Sequence, residues 1–394
     1  MANDPQRLKA LSNAIAVVGV GETDYASDYP ASRAGKPTTD HIGFGIRAFK
    51  AALNDAGLRR EDIDGVIACS VPLGRLVELL GIEPRFSASS FDPATAYMVA
   101  IDAIRNGLAE SIALIKSLNY RTAGTQFGGP QAMGADNLYY VYYRPWGFTS
   151  QGAFDSVVVQ RYIELYGLTH RQLGMVAVAE RAWARMNPLA IMQRPMTLDD
   201  YLRYPFVAEP LRVPDYCLIN DGGTCLIVTS VERARTMARH PTVTVKGLGW
   251  GEENAAINQL RPKLHFSRIQ MRQAGEQCYE VAGIGPKDID GFYYYDNFTG
   301  ELFYILENYG YCREGEAANF IETMGIGPGG KFPVNTSGGM ISESYMQGWN
   351  AQAEMVRQLR GDAGPRQIPN CRHTHYISNT VARATSMILE RDSD

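Results

Sequence analysis

Two stretches decide the fold: Ala56-Gly57-Leu58-Arg59-Arg60-Glu61-Asp62-Ile63-Asp64-Gly65-Val66 and Ala282-Gly283-Ile284-Gly285-Pro286-Lys287-Asp288-Ile289-Asp290-Gly291-Phe292. Both read Ala-Gly-aliphatic, then Asp-Ile-Asp-Gly, then an apolar residue. Each follows an amphipathic stretch with helical spacing, Ile42 to Ala56 and Ile269 to Ala282, and each leads into a short apolar run of strand character. The glycine after each helix suits a left-handed cap, and Asp-x-Asp-Gly signals a turn. Upstream of each unit lies a second strand-like run ending in glycines, Ala14 to Gly21 and Val243 to Gly249. Strand, loop, helix, turn and strand therefore occur twice. Chance similarity of common turn vocabulary is the weaker account of so extended a match. The period is too long for a solenoid and suits a duplicated α/β domain, its strands covered by helices on both faces.

Working outward, 394 residues exceed one small core and suggest two packed halves. The expected division is residues 1–119 as the first part of an N-terminal half, 120–216 as an inserted loop domain, 217–236 as the end of that half, and 237–394 as the C-terminal half. The insertion is rich in Tyr, Gly, Pro and Met, with helices expected over Ala153 to Tyr166 and Thr169 to Met186. A segment hung on a rigid sheet is where specificity usually resides. Asn220-Asp221-Gly222-Gly223 reads as a turn before the strand Thr224 to Val228.

Composition excludes several classes. A net charge of −4 lacks the basic footprint that phosphate backbones demand, so no nucleic acid partner is expected. No run of roughly 18 apolar residues exists, so no membrane span is expected, and the polar start lacks a secretory leader. The six cysteines (Cys69, Cys217, Cys225, Cys278, Cys312, Cys371) are scattered without a C-x-x-C pair. That argues against disulfides and a zinc site, and places the protein in a reducing cytoplasm. Gly19-x-Gly21 lacks the third glycine and helix start of a dinucleotide site.

Four stretches carry a family resemblance. They are Asn187-Pro188 through Ala208-Glu209-Pro210-Leu211, Asp221-Gly222, Tyr295-Asp296-Asn297-Phe298-Thr299, and Asn335-Thr336-Ser337-Gly338-Gly339 followed by Ser344-Tyr345. In this order they resemble the thiolase superfamily, in its sterol-carrier-protein-type branch, over nearly the whole chain. The resemblance implies a duplicated thiolase fold, layered α-β-α-β-α with an inserted loop domain. It also exposes departures. Ser90 stands where the thiolase nucleophilic cysteine is expected, before a helix over Ala94 to Gly107. Tyr295 and Tyr345 stand in the two histidine places, and Asn297 in that of the second cysteine. None of the six histidines falls at a matched position, so acyl-enzyme chemistry lacks its nucleophile and base.

Among thiolase-like proteins, the tyrosine-bearing motifs are most similar to bacterial aldolases that shorten steroid side chains on a CoA thioester. That resemblance implies cleavage of the Cα–Cβ bond of a β-hydroxyacyl-CoA by retro-aldol chemistry. The CoA thioester is the substrate, and no bound cofactor or metal is expected. Tyr295 and Tyr345 would share acid and base work. Backbone N–H groups near Asn335, Gly338 and Gly339 would stabilise the enolate, with Asn297 as a side-chain donor. The same resemblance implies a homodimer, and a small zinc-ribbon/OB-fold partner completing a heterotetramer.

Plain structural readings stand beside these. Tyr293-Tyr294-Tyr295 is an aromatic run of strand type, with Tyr293 and Tyr295 on one face. Tyr345 begins a helix expected to reach Leu359. Asn335 and its glycines form a tight turn. Ser90 is a helix-start residue, and His373 with His375 is a core pair on the strand Arg372 to Ser378. Two rival functions remain open. One is an acyltransferase of acetyl-CoA acetyltransferase type with a displaced nucleophile such as Cys69 or Cys371. The other is a non-catalytic thioester-binding subunit of a complex, and a weaker third option is decarboxylation or Claisen chemistry with the same enolate stabilisation.

Overall fold

The computed structural model describes residues 9–127, 143–237, 239–253, 268–380 and 383–392. In the first half, strand β1 (Ile15–Glu22) is followed by helices α1 (Tyr25–Arg33) and α2 (His41–Ala56). Then come β2 (Gly65–Cys69), α3 (Leu73–Leu80), β3 (Phe86–Ser90), α4 (Pro93–Arg105) and β4 (Ser111–Asn119). The inserted stretch carries α5 (Gln151–Tyr166), α6 (His170–Ala184), α7 (Leu198–Arg203) and a hairpin of β5 (Phe206–Ala208) and β6 (Leu211–Arg212). Strand β7 (Asp221–Ser230) and helix α8 (Val231–Met237) close this half. The second half comprises β8 (Val243–Glu252), α9 (Ile269–Ala282), β9 (Gly291–Tyr294), α10 (Glu301–Asn308), α11 (Ala317–Met324), α12 (Trp349–Arg360), β10 (His373–Thr380) and β11 (Arg383–Arg391).

The duplication read from the two Asp-Ile-Asp-Gly stretches is present in the topology. Nine strands run in the order β3-β2-β4-β7-β1-β8-β11-β10-β9. Counted outward from the β1–β8 seam, β1-β7-β4-β2 mirrors β8-β11-β10-β9, and only the first half adds β3. Directions match as well: β2–β4 and β9–β10 are parallel, while β4–β7, β7–β1, β10–β11 and β11–β8 are antiparallel.

The repeated residues have repeated duties. Gly57 and Gly283 cap α2 and α9 in the left-handed region, at φ 67° and 68°. The second aspartate of each unit ties its turn to the start of a neighbouring strand. Asp64 accepts from the N–H groups of Glu110 and Ser111, and Asp290 from those of Arg372 and His373, all at 2.8–3.0 Å. Gly21 and Gly249 let the outer helices lie flush on the sheet. A Cβ at either would stand 2.1 or 2.0 Å from the Ala48 or Ala274 carbonyl oxygen. That settles Gly19-x-Gly21 as a packing feature.

Helices α2 and α9 cover the outside, against β1, β4 and β7 and against β8 and β11. Helices α4 and α12 touch strands of both halves and form the central layer. Their Tyr97, Ile101, Trp349, Met355 and Leu359 lie in one fully buried cluster with β1, β4, β7 and β8. The layered α/β expectation therefore holds, with the strands of both halves joined at β1–β8.

Two local expectations are corrected. Tyr345 does not begin a helix. It follows a π-helical turn, Gly339–Glu343, and helix α12 starts only at Trp349. Ser90 is not the start of α4 but the last residue of β3. The cap is Asp92, whose carboxylate accepts from Thr95 N at 3.0 Å. Asp92 is the cap because Pro93 occupies the first helical position, which leaves Ser90 two residues upstream at the end of β3. His375 is a satisfied core residue, bonded to Tyr311 and Ser386 at 2.7 Å, and burial pushes its pKa down to about 3. Among the described residues no helix is long and apolar enough to cross a membrane.

Candidate active site

Tyr295 follows the end of β9, and its backbone N–H continues the ladder to Ile377 O at 2.8 Å. Strand alternation sends Tyr293 and Tyr295 into the central cluster and Tyr294 to the opposite one. Tyr345 comes from the far loop, and the two hydroxyls meet at 2.7 Å. Both side chains are buried. The rings of Tyr120 and Phe127 stand 5.9 and 6.0 Å from that of Tyr345, and these packed contacts limit its rotation.

Burial drives both phenols well above their usual range. Within the pair the directions differ. The Tyr295 hydroxyl lowers the proton affinity of Tyr345, whereas Tyr345 raises that of Tyr295.

A segment just before β7 brings the two motifs together. Cys217 N–H donates to Asn297 O at 3.0 Å, and Leu218 N–H to Met340 O at 2.9 Å. The Asn220 side-chain oxygen accepts from Tyr345 N at 2.7 Å. The Asn187-Pro188 segment holds the other side of the loop, with Ile191 and Met192 N–H donating to the Glu343 and Ser342 carbonyls. Sequence reasoning missed Asn220, reading it only as part of a turn. The adjoining Gly222-Gly223 marked the position but not its role.

The Gly338-Gly339 loop, where enolate support is expected, also packs around buried carboxyls. Gly338 donates its N–H to Asn335 O at 2.8 Å, and Ile341 N–H goes to Asp296 Oδ2 at 3.0 Å. Gly339, at φ 61°, leaves room for the Asp296 carboxylate: a Cβ there would stand 2.2 Å from Asp296 Oδ2 and 2.8 Å from Glu180 Oε2. Asn335, at φ 44°, donates to Glu180 Oε1 and accepts from Tyr294 N, both at 3.1 Å. The loop thus wraps a buried Asp296–Glu180 pair. Burial and the neighbouring Asp296 push Glu180 well up, while Asp296 rises to about 6. Sequence reasoning missed Glu180, which helical spacing places on the same buried face of α6 as Val176 and Ala184.

Asn297 also differs from expectation. With its amide oriented to satisfy its neighbours, Nδ2 donates to Glu301 Oε1 at 2.9 Å and to Tyr295 O at 3.2 Å. Its hydrogens are turned inward, leaving the side-chain carbonyl, an acceptor, for other contacts. Ser90 Oγ donates to Asp92 O at 3.1 Å, and Ser90 does not line the cavity beside Tyr345.

That cavity has a volume of about 1400 Å³. Its walls include Tyr345, Asn297, Phe298 and Ile341 from the second half and Phe127, Met192 and Tyr216 from the inserted stretch. Exposed Arg33, Arg194 and Arg203 stand at its edge. Cys217 lines it too, but burial and the Asp296 carboxyl hold its thiol high. Cys69 and Cys371 lie buried outside it, both thiols pushed to about 12 by burial. No thiol at or near the site is activated. Among the described residues no cluster of three or more His, Cys, Asp or Glu could hold a metal ion.

Residues 253–391 match the Thiolase C-terminal domain-like family model. The chain is 32% identical over 372 residues to a "Steroid side-chain-cleaving aldolase" of Thermomonospora curvata, covering 90% of this chain and 92% of that protein. This chain belongs to the thiolase superfamily, in the branch of these aldolases. It is also 30% identical to the "17-hydroxy-3-oxo-4-pregnene-20-carboxyl-CoA lyase" of Mycobacterium tuberculosis, over 96% of this chain and 100% of that one. Among solved structures, "Ltp2-ChsH2(DUF35) aldolase" superposes with a TM-score of 0.87 at 30% identity, covering 98% of this chain and 100% of that one.

Proposed function

We propose that this thiolase-fold chain is a carbon–carbon lyase that cleaves a β-hydroxyacyl-CoA with a bulky acyl group, of steroid side-chain type, by a retro-aldol step. The observation that carries the reading is the Tyr295–Tyr345 hydroxyl pair at a large cavity with no activated nucleophile beside it. In the reaction the β-hydroxyl loses its proton, the Cα–Cβ bond breaks, and Cβ becomes a ketone. The electron pair passes to Cα as a thioester enolate, which a proton then quenches. Proton count is conserved, and neither an acyl-enzyme nor free CoA is needed.

Tyr345, at the cavity wall, accepts the β-hydroxyl proton as its phenolate and becomes the neutral phenol; Tyr295 donates its hydrogen bond to that phenolate before the transfer. The proton held by the pair is available for Cα once the ketone forms. A cavity of about 1400 Å³ exceeds the roughly 300–1,000 Å³ of ordinary ligand sites, which favours a large acyl group. The arginines at its edge suit the phosphates of CoA. The named relatives act on steroid side chains and CoA thioesters, and the superposed structure bears two component names. By likeness we assign a homodimer with a small zinc-ribbon/OB-fold partner.

The test is turnover of a branched β-hydroxyacyl-CoA with a bulky cyclic acyl group, by the chain co-purified with its partner and without free CoA. Ketone and shortened acyl-CoA are the expected products. Turnover only after free CoA is added would show thiolysis and defeat the reading.

A further inference from the structure

Arg181, near the end of α6, lines the cavity yet is only 8% exposed. Two of its nitrogens are tethered: Nε donates to Ser342 Oγ at 3.0 Å and Nη1 to Arg194 O at 3.4 Å. Ser342 is itself fully buried, and its carbonyl takes the Met192 N–H at 2.9 Å. The guanidinium plane is therefore fixed by two segments that are bonded to each other. Nη2 has no partner among the described residues and remains reachable from the cavity. Among the described residues Arg181 makes no ion pair, and Glu180, its neighbour in sequence, is held by Asn335. Burial lowers the pKa of Arg181 from the ordinary guanidinium range. Met192 and Ile341, which adjoin its tethers, are apolar and line the same cavity. A single guanidinium in an apolar wall is the arrangement by which a ligand site orients an apolar molecule with one polar end.

We propose that Arg181 is a specificity-determining residue: it receives an acceptor oxygen, oxo or carboxylate, that the acyl group carries away from the thioester. The inference rests on the aldolase reading above. The CoA phosphates are the other source of acceptor oxygens on this substrate, and the structure favours the acyl group. Exposed Arg33, Arg194 and Arg203 at the cavity edge meet a phosphate without stripping its water. At the enclosed Arg181 a phosphate would lose that hydration. An oxo oxygen costs much less to bury, and a carboxylate supplies the one counter-charge that the guanidinium lacks. A substrate without the oxygen displaces cavity water and leaves a buried donor unpaired, which is the basis of discrimination. Tyr345 lies three residues beyond Ser342 in the same loop. One wall then carries both the reacting hydroxyl and the group that aligns the acyl body with it.

The test measures kcat/KM for three β-hydroxyacyl-CoA thioesters with the chain co-purified with its partner. They share one bulky cyclic acyl group and differ at the ring position farthest from the thioester, which carries an oxo group, a carboxylate or only hydrogen. Wild type is expected to favour an oxygen-bearing thioester over the plain one by about 10–100-fold, the range of one hydrogen bond to a charged group. The better of the two identifies the oxygen. Arg181→Met is expected to lose that preference and to keep turnover of the plain thioester within about threefold, because only the discriminating contact is removed. Arg181→Lys keeps the charge but not the fork, so it should lose most of the preference, and it serves if Arg181→Met does not fold. Equal kcat/KM of the wild type for all three thioesters would overturn the inference. So would an equal loss for all three in a folded variant, or weaker inhibition of that variant by free CoA, which would assign Arg181 to the phosphates. Absence of any cleavage by the wild type would instead overturn the aldolase reading, and the inference with it.

Discussion

At the scale of single residues, the proposed reaction turns on two oxygen atoms 2.7 Å apart. The asymmetry of the pair makes a directional prediction. Tyr345→Phe removes the proton acceptor at the cavity wall, and kcat for cleavage should fall by about 10²–10⁴-fold with KM little changed. Tyr295→Phe removes only the donor behind it, so the loss should be smaller. Equal kcat for wild type and Tyr345→Phe would rule out this role. Cys217→Ser should retain near wild-type turnover, because its thiol is held protonated beside Asp296 and no acyl-enzyme forms. A large loss in that variant would revive the displaced-nucleophile reading. The tyrosines were legible as motif positions. Their contact was not, since Tyr295 and Tyr345 lie on separate segments, and only the clamp from Cys217 to Asn220 brings them together.

At the scale of elements, the duplicated units behave as equivalents with separately testable parts. Asp64 and Asp290 do the same work, each receiving two backbone N–H groups at the head of a parallel neighbour strand. Replacing either by alanine strands two N–H groups, which should cost about 1–3 kcal/mol. The two losses should be similar in urea unfolding. A loss at one aspartate and none at the other would show that the likeness is one of sequence and not of function. Helix ends were read to within two or three residues in α2, α4, α5, α6 and α9, because periodicity, caps and glycines agree there. The helix expected to begin at Tyr345 starts only at Trp349, because Gln347 at φ 54° and Gly348 at φ 81° take the chain out of the right-handed helical region.

At the scale of the whole molecule, many carboxyls are buried, and this sets a pH dependence of stability. Burial and the nearby Glu22 push Glu343 up to about 8, while Asn187 and Asn350 hold its oxygens at 2.7 and 2.8 Å. Its folded pKa lies above its unfolded value, so the folded state binds the extra proton. That contribution is fully present below the unfolded pKa and is lost as pH rises toward 8. His375, held near 3, acts in the opposite sense only below about 6.5. Lys116, lowered to about 7, opposes it above that pH, but Glu180 and Glu301, both well above the usual range, add to the fall. Unfolding free energy should therefore decline between pH 6.5 and 8. Glu343→Gln should flatten that decline by up to about 1.4 kcal/mol per pH unit. Denaturant unfolding at the two pH values checks this, and parallel slopes for wild type and variant would count against it.

The sequence by itself determined the duplicated α/β architecture and placed tyrosines at the motif positions from which the proposed site is read. Both are written in local patterns: a repeated Ala-Gly and Asp-Ile-Asp-Gly frame, and motif positions whose residue types can be read one at a time. Only the tertiary structure decided what the groups around the tyrosines do. It turned Asn297 inward, wrapped the Gly338-Gly339 loop around the Asp296–Glu180 pair, and set Arg181 in the cavity wall. The physical reason is that hydrogen-bond donors are assigned by which partners lie within about 3 Å. In a fold dominated by long-range strand pairing, those partners come from segments that no local pattern connects.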